Sequence, residues 1–194
     1  MDKREEILRA ASVAFQKYGL AKTTLEDISV ECGIKTSALY YYFKNKDEIL
    51  NMMFDTDLLT IQNNIRNAVD SKETPKEKLI AYMIEKLNSV KEQRKYFYMI
   101  RKYDLSFKYK NMAQIHKNKF DDFKVKLLTD IISYGITNKK FDVASIESLV
   151  QIITGITLGL SVRILIDNQD LNVPTTVENI MQIILQGIEI KEEI

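Results

Sequence analysis

The chain of 194 residues has one cysteine, one histidine, no tryptophan, two prolines and six glycines. The single cysteine, Cys32, excludes an intrachain disulfide and suits a reducing cytosol. With one His, one Cys, no glycine-rich phosphate loop and no spaced carboxylate pair, an enzyme has nothing from which to build a convergent polar site. No acidic cluster repeats at metal-ligand spacing, so neither metal nor cofactor is expected. Few helix breakers and little strict alternation leave little room for strands, and the chain reads as all-α. Charge of one sign is also lacking: 28 basic against 27 acidic side chains leave a net +1. Bulk attraction to nucleic acid is thereby excluded, so any such contact must come from a local arrangement. Met1 to Arg9 is charged and lacks the apolar run of a signal peptide, which predicts a cytoplasmic protein. The most apolar stretch, Leu149 to Ile166, is interrupted by Gln151, Thr154, Thr157, Ser161 and Arg163, so it reads as a buried interface helix rather than a bilayer span.

What is present is helical periodicity with clear punctuation. Ile7, Leu8, Ala11, Ala14, Phe15 and Tyr18 form one stripe of a helix over Lys3–Tyr18, which Gly19 ends in a left-handed C-cap. Thr24, with Asp27 three residues on, opens a short helix whose inward residues are Leu25, Ile28 and Cys32. Gly33 turns the chain into a third helix, Thr36 to Tyr42, and Asn45 starts a long fourth one, Lys46 to Val69. Further helices are expected over Pro75–Lys91, Lys95–Tyr103, Ser106–Tyr134 (stopped by Gly135), Val143–Asp167 (capped by Asp142) and Thr176–Ile190 (capped by Thr175). The plan is about nine helices: a three-helix head over residues 1–45, and a larger helical ligand-binding and dimerisation body over 46–194.

Two short helices around a tight turn, braced by a preceding helix, make the helix-turn-helix plan. At about 100° per residue, Leu39 and Phe43 share an inward face, while Ser37 and Tyr41 point away with Ala38, Tyr40 and Tyr42 flanking. Lys35 and Thr36 sit at the tip that approaches base edges in this motif. From Gly33 to Lys46 there are three lysines and no acid. Tyrosines offer a hydroxyl to phosphate and a ring to a thymine methyl. Periodicity alone leaves a second reading open, in which Tyr40, Tyr41 and Tyr42 are core and rim aromatics.

The string from Thr24 through Ile28, Ser29, Cys32-Gly33, Leu39-Tyr40-Tyr41-Tyr42-Phe43 and Lys46 to Leu50 closely resembles the signature of the TetR family of transcriptional regulators, over about residues 5 to 52. That resemblance implies a homodimeric repressor whose heads dock on the two halves of a palindromic operator. It also implies a small ligand, bound in the body, that releases the DNA. Carried over position by position, Thr24 and Lys46 would grip phosphates, with the helix dipole aiding Lys46. Thr36, Ser37 and Tyr40 match base-contacting positions, and Ala38, Tyr41 and Tyr42 match positions at bases or backbone. Lys35 departs from the family's Ser or Thr. Lysine cannot cap, so the helix is expected to start at Thr36, with Lys35 as an extra DNA contact.

For the dimer, the two final helices are the candidates, with Ile152, Gly155, Ile156, Gly159, Arg163, Ile180, Ile184 and Gly187 at the interface. Two mid-helix glycines four apart, each costing about 1 kcal/mol relative to alanine, imply close backbone approach. The other reading has this helix crossing the monomer's own core. For the effector, Tyr82, Met83, Phe97, Met99, Tyr103, Phe107, Met112, His116 and Phe120 either line an adaptable apolar cavity or simply pack the core. His116, flanked by Lys117 and Lys119, is either a solvated helix residue or a ligand contact. The composition of this middle region favours a small lipophilic effector. Two functional alternatives stay open: a helical homodimer that binds protein partners without an operator, and an activator built on the same head. The first has room because Met1 to Glu48 holds eight basic and eight acidic residues.

Overall fold

The computed structural model describes residues 2–92, 107–166 and 171–188. Among these the chain forms eight helices and no strand. They are α1 (Lys3–Tyr18), α2 (Leu25–Cys32), α3 (Thr36–Tyr42), α4 (Lys46–Asp70), α5 (Pro75–Glu92), α6 (Phe107–Thr137), α7 (Ile146–Ile166) and α8 (Val173–Gln186). The helix expected over Lys95–Tyr103 lies outside the described residues. The described residues fall into two compact units, one holding those of Met1–Leu59 and Lys95–Lys117, the other those of Thr60–Arg94 and Asn118–Ile194.

The first unit is organised by a core of Ile7, Ala11, Phe15, Ile28, Leu39, Phe43 and Leu50. α1 to α4 each contribute to it at the spacing of one helical face, while Tyr18, at the end of the expected stripe, is exposed. Asp2 caps α1 by accepting from the Arg4 N–H. Gly19 ends it at φ 84, ψ 148. That is a glycine conformation, but an extended one rather than the expected left-handed cap. The chain turns fully left-handed at Gly33 (φ 67, ψ 30), after which α3 can begin.

The second unit buries Leu79, Tyr82, Met83 and Leu87 of α5 with Leu128 and Ile132 of α6, Ile153 and Ile164 of α7, and Val177 and Met181 of α8. Thr74 and Glu77 form a reciprocal cap at the start of α5. Three punctuation marks act differently from expectation. Gly135 lies inside α6, which runs on to Thr137. A Cβ at 135 would fall within the Phe141 ring, so this glycine makes room for a returning aromatic instead of stopping the helix. Asp142 does not cap α7, which begins four residues later at Ile146; its N–H donates to the Ile188 carbonyl. Ser145 accepts from the Ser148 N–H and opens that helix three residues later than expected. α8 is capped by Asn172 rather than Thr175, since Pro174 is tolerated in the first turn and the Asn172 side chain accepts from the Thr175 N–H.

α7 passes, by length and composition, for a helix able to cross a membrane. One face of it is nonetheless core: Leu149, Val150, Ile153, Leu160 and Ile164 are buried. Thr157 and Ser161 on that face are buried too, and donate to the Ile153 and Thr157 carbonyls one turn back (2.6 and 2.7 Å). Those back-bonds let two hydroxyls enter an apolar core.

Candidate nucleic-acid interface

α3 is held by its inward residues, and its outward face is left in solvent. Leu39 and Phe43 are fully buried in the head core. Ser37 and Ala38 are exposed, Tyr40 is 56% exposed and Tyr41 84%. A tyrosine exposed to that degree contributes nothing to its own core. Tyr42 differs from its neighbours: it is half-buried against the head core, with its ring edge-on to Tyr41 at 5.2 Å. α3 begins at Thr36, and Lys35 in the N-cap position makes no side-chain capping bond, so its side chain extends into solvent.

Behind this face a set of polar contacts fixes the angle of the motif. The Thr36 hydroxyl is 2.9 Å from that of Ser29 on α2, and the Ser29 hydroxyl lies 2.8 Å from the Glu26 carbonyl. Ser29, which stands in the signature string without an assigned role, therefore joins the two helices of the motif. Its signal was a second hydroxyl seven residues before Thr36, across a glycine turn. Thr36 is half-buried by the same contact, so a base would meet it beside this bond rather than on a free hydroxyl.

Thr24 caps α2 reciprocally. The Asp27 N–H donates to the Thr24 hydroxyl (3.1 Å), while the Thr24 N–H and hydroxyl donate to the Asp27 carboxylate (2.8 and 2.7 Å). Those bonds from Thr24 hold the Asp27 carboxyl below its usual range. A phosphate at Thr24 would meet a hydroxyl whose proton already points at a carboxylate. Lys46 is more heavily engaged. Its ammonium donates to the carbonyls of Leu20, Ala21 and Thr23, at 2.8, 2.9 and 2.9 Å. The lysine at the start of α4 thus staples the loop between α1 and α2, the loop that presents Thr24.

The residues considered for an effector fall in both units and partly outside the described residues. Tyr82 and Met83 are fully buried core residues of the second unit, and Phe120 is half-buried against that core. His116 belongs to the first unit, with its Nδ1 3.4 Å from an Asp55 carboxylate oxygen and its ring 5.2 Å from Phe54. Phe97, Met99 and Tyr103 lie outside the described residues, as do the side chains of Phe107 and Met112.

The residues considered for a dimer all lie on α7, on α8 or just after α8, in the second unit. Ile152, Gly155, Gly159, Arg163 and Gly187 are exposed, while Ile156, Ile180 and Ile184 are half-buried against the core beneath. A Cβ at Gly155 or Gly159 would meet nothing within 4 Å, so the strip of bare backbone is open. Leu158 (62%) on α7 and Ile183 (73%) on α8 are exposed as well.

Comparison with known proteins places the head. Residues 7–53 match the family model described as bacterial regulatory proteins, tetR family. Over 53 residues the chain is 42% identical to the HTH-type transcriptional regulator TtgR of Pseudomonas putida, a match covering 27% of this chain and 25% of that protein. The chain therefore spans about a quarter of that curated relative's length. The fold extends over the whole chain. A TetR transcription regulator from Haloarcula marismortui superposes with a TM-score of 0.76 at 22% identity, covering 97% of this chain and 99% of its own. The transcriptional regulator FadR of Bacillus subtilis, solved in complex with stearoyl-CoA, superposes at 0.69 with 18% identity over 95% and 99%. The helix-turn-helix head thus matches the tetR family of bacterial regulatory proteins in sequence, and the chain as a whole is similar to TetR transcription regulators in fold.

Proposed function

We propose that this chain is a cytoplasmic, ligand-responsive transcriptional regulator: a homodimeric repressor that binds a palindromic operator and is released by a small lipophilic effector. The observation that carries the reading is the outward face of α3, where Ser37, Ala38, Tyr40 and Tyr41 stand in solvent on a helix anchored from behind by Leu39 and Phe43. Exposed aromatics beside small residues let the helix backbone approach base edges. Lys35 and Lys44 flank the face without acidic neighbours in the segment from Gly33 to Lys46.

Thr24, Thr36, Tyr42 and Lys46 join this interface in a subordinate sense. They hold the face in position through the bonds described above, and reach DNA where those bonds allow. The open glycine strip of α7 supports the homodimer, because Gly155 and Gly159 leave bare backbone in open space and large apolar side chains such as Ile152 and Ile183 stand exposed on α7 and α8. The binding of stearoyl-CoA by the Bacillus subtilis FadR of similar fold supports a lipophilic effector for the second unit. Functionally, residues 1–45, with Lys46 at the boundary, carry the DNA contacts, and the rest of 46–194 carries effector and partner. Selection of bound sites from random DNA tests the reading. The expected product is a two-fold-repeated site bound with a steep salt dependence; enrichment of no site, or of a site without two-fold repeat, overturns it.

A further inference from the structure

α4, α5 and α6 place three cations around two aromatic rings in the second unit. The Lys86 ammonium of α5 lies 4.5 Å from the centroid of the Phe120 ring of α6. The Arg66 guanidinium of α4 lies 5.6 Å from that of Phe123, one turn further along. The two rings are 6.0 Å apart and tilted by 47°. Lys124 is already paired with Asp121, at 2.7 Å. Among the described residues the Lys86 ammonium makes no hydrogen bond and no ion pair; its contact is the face of Phe120. Burial, and after it the Lys124 ammonium, bring the Lys86 pKa down to about 8, against a partial opposing pull from Asp121. Lys86 is half-buried, so its ammonium keeps part of its hydration but finds no protein acceptor for the part it loses.

The local balance states what is missing. Asp121 is paired with Lys124 and also pulls on Lys86, while Arg66 is exposed on its ring, so the named cations around the two rings outnumber the carboxylate. One anionic charge with an apolar body satisfies both the ammonium and the half-buried rings. A neutral lipid would leave the ammonium without an acceptor.

We propose that Lys86, with Phe120 and Phe123 beside it, is the head-group subsite for an amphipathic monocarboxylate, whose carboxylate accepts from the Lys86 ammonium and whose chain lies along the rings. The proposal rests on the effector reading above and sharpens it from a lipophilic compound to an organic acid with an apolar tail.

Calorimetric titration of the full chain with decanoate, 1-decanol and inorganic phosphate tests it. Decanoate should bind at least about ten-fold tighter than decanol, the worth of one charge-assisted hydrogen bond, and phosphate should give no heat. In Lys86→Met the preference for the acid should vanish while decanol binding is kept. In the wild-type chain, the decanoate affinity should fall as pH rises through 8 while that of decanol stays flat, a readout that needs no variant. Equal affinity for acid and alcohol, an acid preference that survives Lys86→Met, or binding of neither compound overturns the subsite. Operator release is measured separately. Decanoate binding without release keeps the subsite and overturns the effector reading, whereas operator binding without any decanoate binding overturns the subsite and leaves the DNA reading standing.

Discussion

Replacing Lys46 by methionine separates two roles that its position allows. Three convergent hydrogen bonds, of 2.8, 2.9 and 2.9 Å, tie its ammonium to the carbonyls of Leu20, Ala21 and Thr23. Leu20 and Thr23 are each 2% exposed, so their carbonyls have little access to water once the ammonium is gone, whereas Ala21 is exposed and can be solvated. Two stripped acceptors at about 1–2 kcal/mol each give an expected loss of about 3 kcal/mol in the head. The change should appear as faster amide exchange from Thr23 to Ile28, since the loop sets the start of α2. If the staple persists on DNA, Lys46→Met should weaken operator binding while leaving its salt slope unchanged. If Lys46 instead grips a phosphate, the slope should drop by about 0.9 per head, close to 2 for a dimer. Amide exchange is followed on the free chain, and operator binding by fluorescence anisotropy across a salt series. Native exchange rates together with a reduced slope would refute the staple.

Tyr41→Ala should change stability by less than about 0.5 kcal/mol, because the ring is 84% exposed, yet weaken operator binding; thermal melting and anisotropy on one preparation check both halves. Gly135→Ala should destabilise by about 1–2 kcal/mol, although Gly to Ala inside a helix normally stabilises by about 1. The new methyl would meet the buried Phe141 ring, and a urea melt at unchanged slope tests the sign. Lys86 binds its proton less tightly in the folded than in the unfolded chain, so its contribution to stability should rise from about pH 8 towards the unfolded value near 10.5. The rise should be at most about 3 kcal/mol. It should be missing from the same pH series on Lys86→Met, and a parallel rise in that variant would sink the assignment.

Local rules made the head legible. α1 spans the expected Lys3–Tyr18, α2 is capped by Thr24 and Asp27, and α3 starts at Thr36 because Lys35 has no side-chain acceptor with which to cap. Each of these outcomes depends on groups within four residues of one another. The body was legible in plan but not in its boundaries. Gly135 answers to Phe141, and Asp142 to Ile188, and neither relation is local in sequence. The same limit applied to the site. Exposure of Ser37 and Tyr41 follows from helical phase about Leu39 and Phe43, whereas the Lys46 staple reaches back more than twenty residues to carbonyls that have no side-chain signature. Lys86 gave no signal at all, since a lysine on an amphipathic helix reads as solvated until Phe120 and Lys124 are known to face it.

The contacts within the head also determine how strong one half-site can be. Of its eight basic residues, Lys3 is paired with Glu6, Lys17 with Glu31, and Lys46 is bound to the 20–23 loop. Asp27 adds a carboxylate at the start of α2. What α3 can offer is Lys35 and Lys44 with a few hydroxyls and rings, too little charge to hold DNA alone at physiological salt. Joining two heads converts the second docking into an intramolecular event and can raise affinity by about 10² to 10⁴ without a new contact. The surface that would join them is the strip at Gly155 and Gly159, where an added side chain meets no atom of its own chain. Gly159→Arg should therefore leave the monomer's fold intact, since it enters open space. It should yield monomers in sedimentation, and weaken operator binding more than any single substitution on α3. A variant that sediments as a dimer would move the interface off this strip. A monomeric variant with full operator affinity would mean that one head suffices, and that the neutral charge of the head sets no limit on its binding.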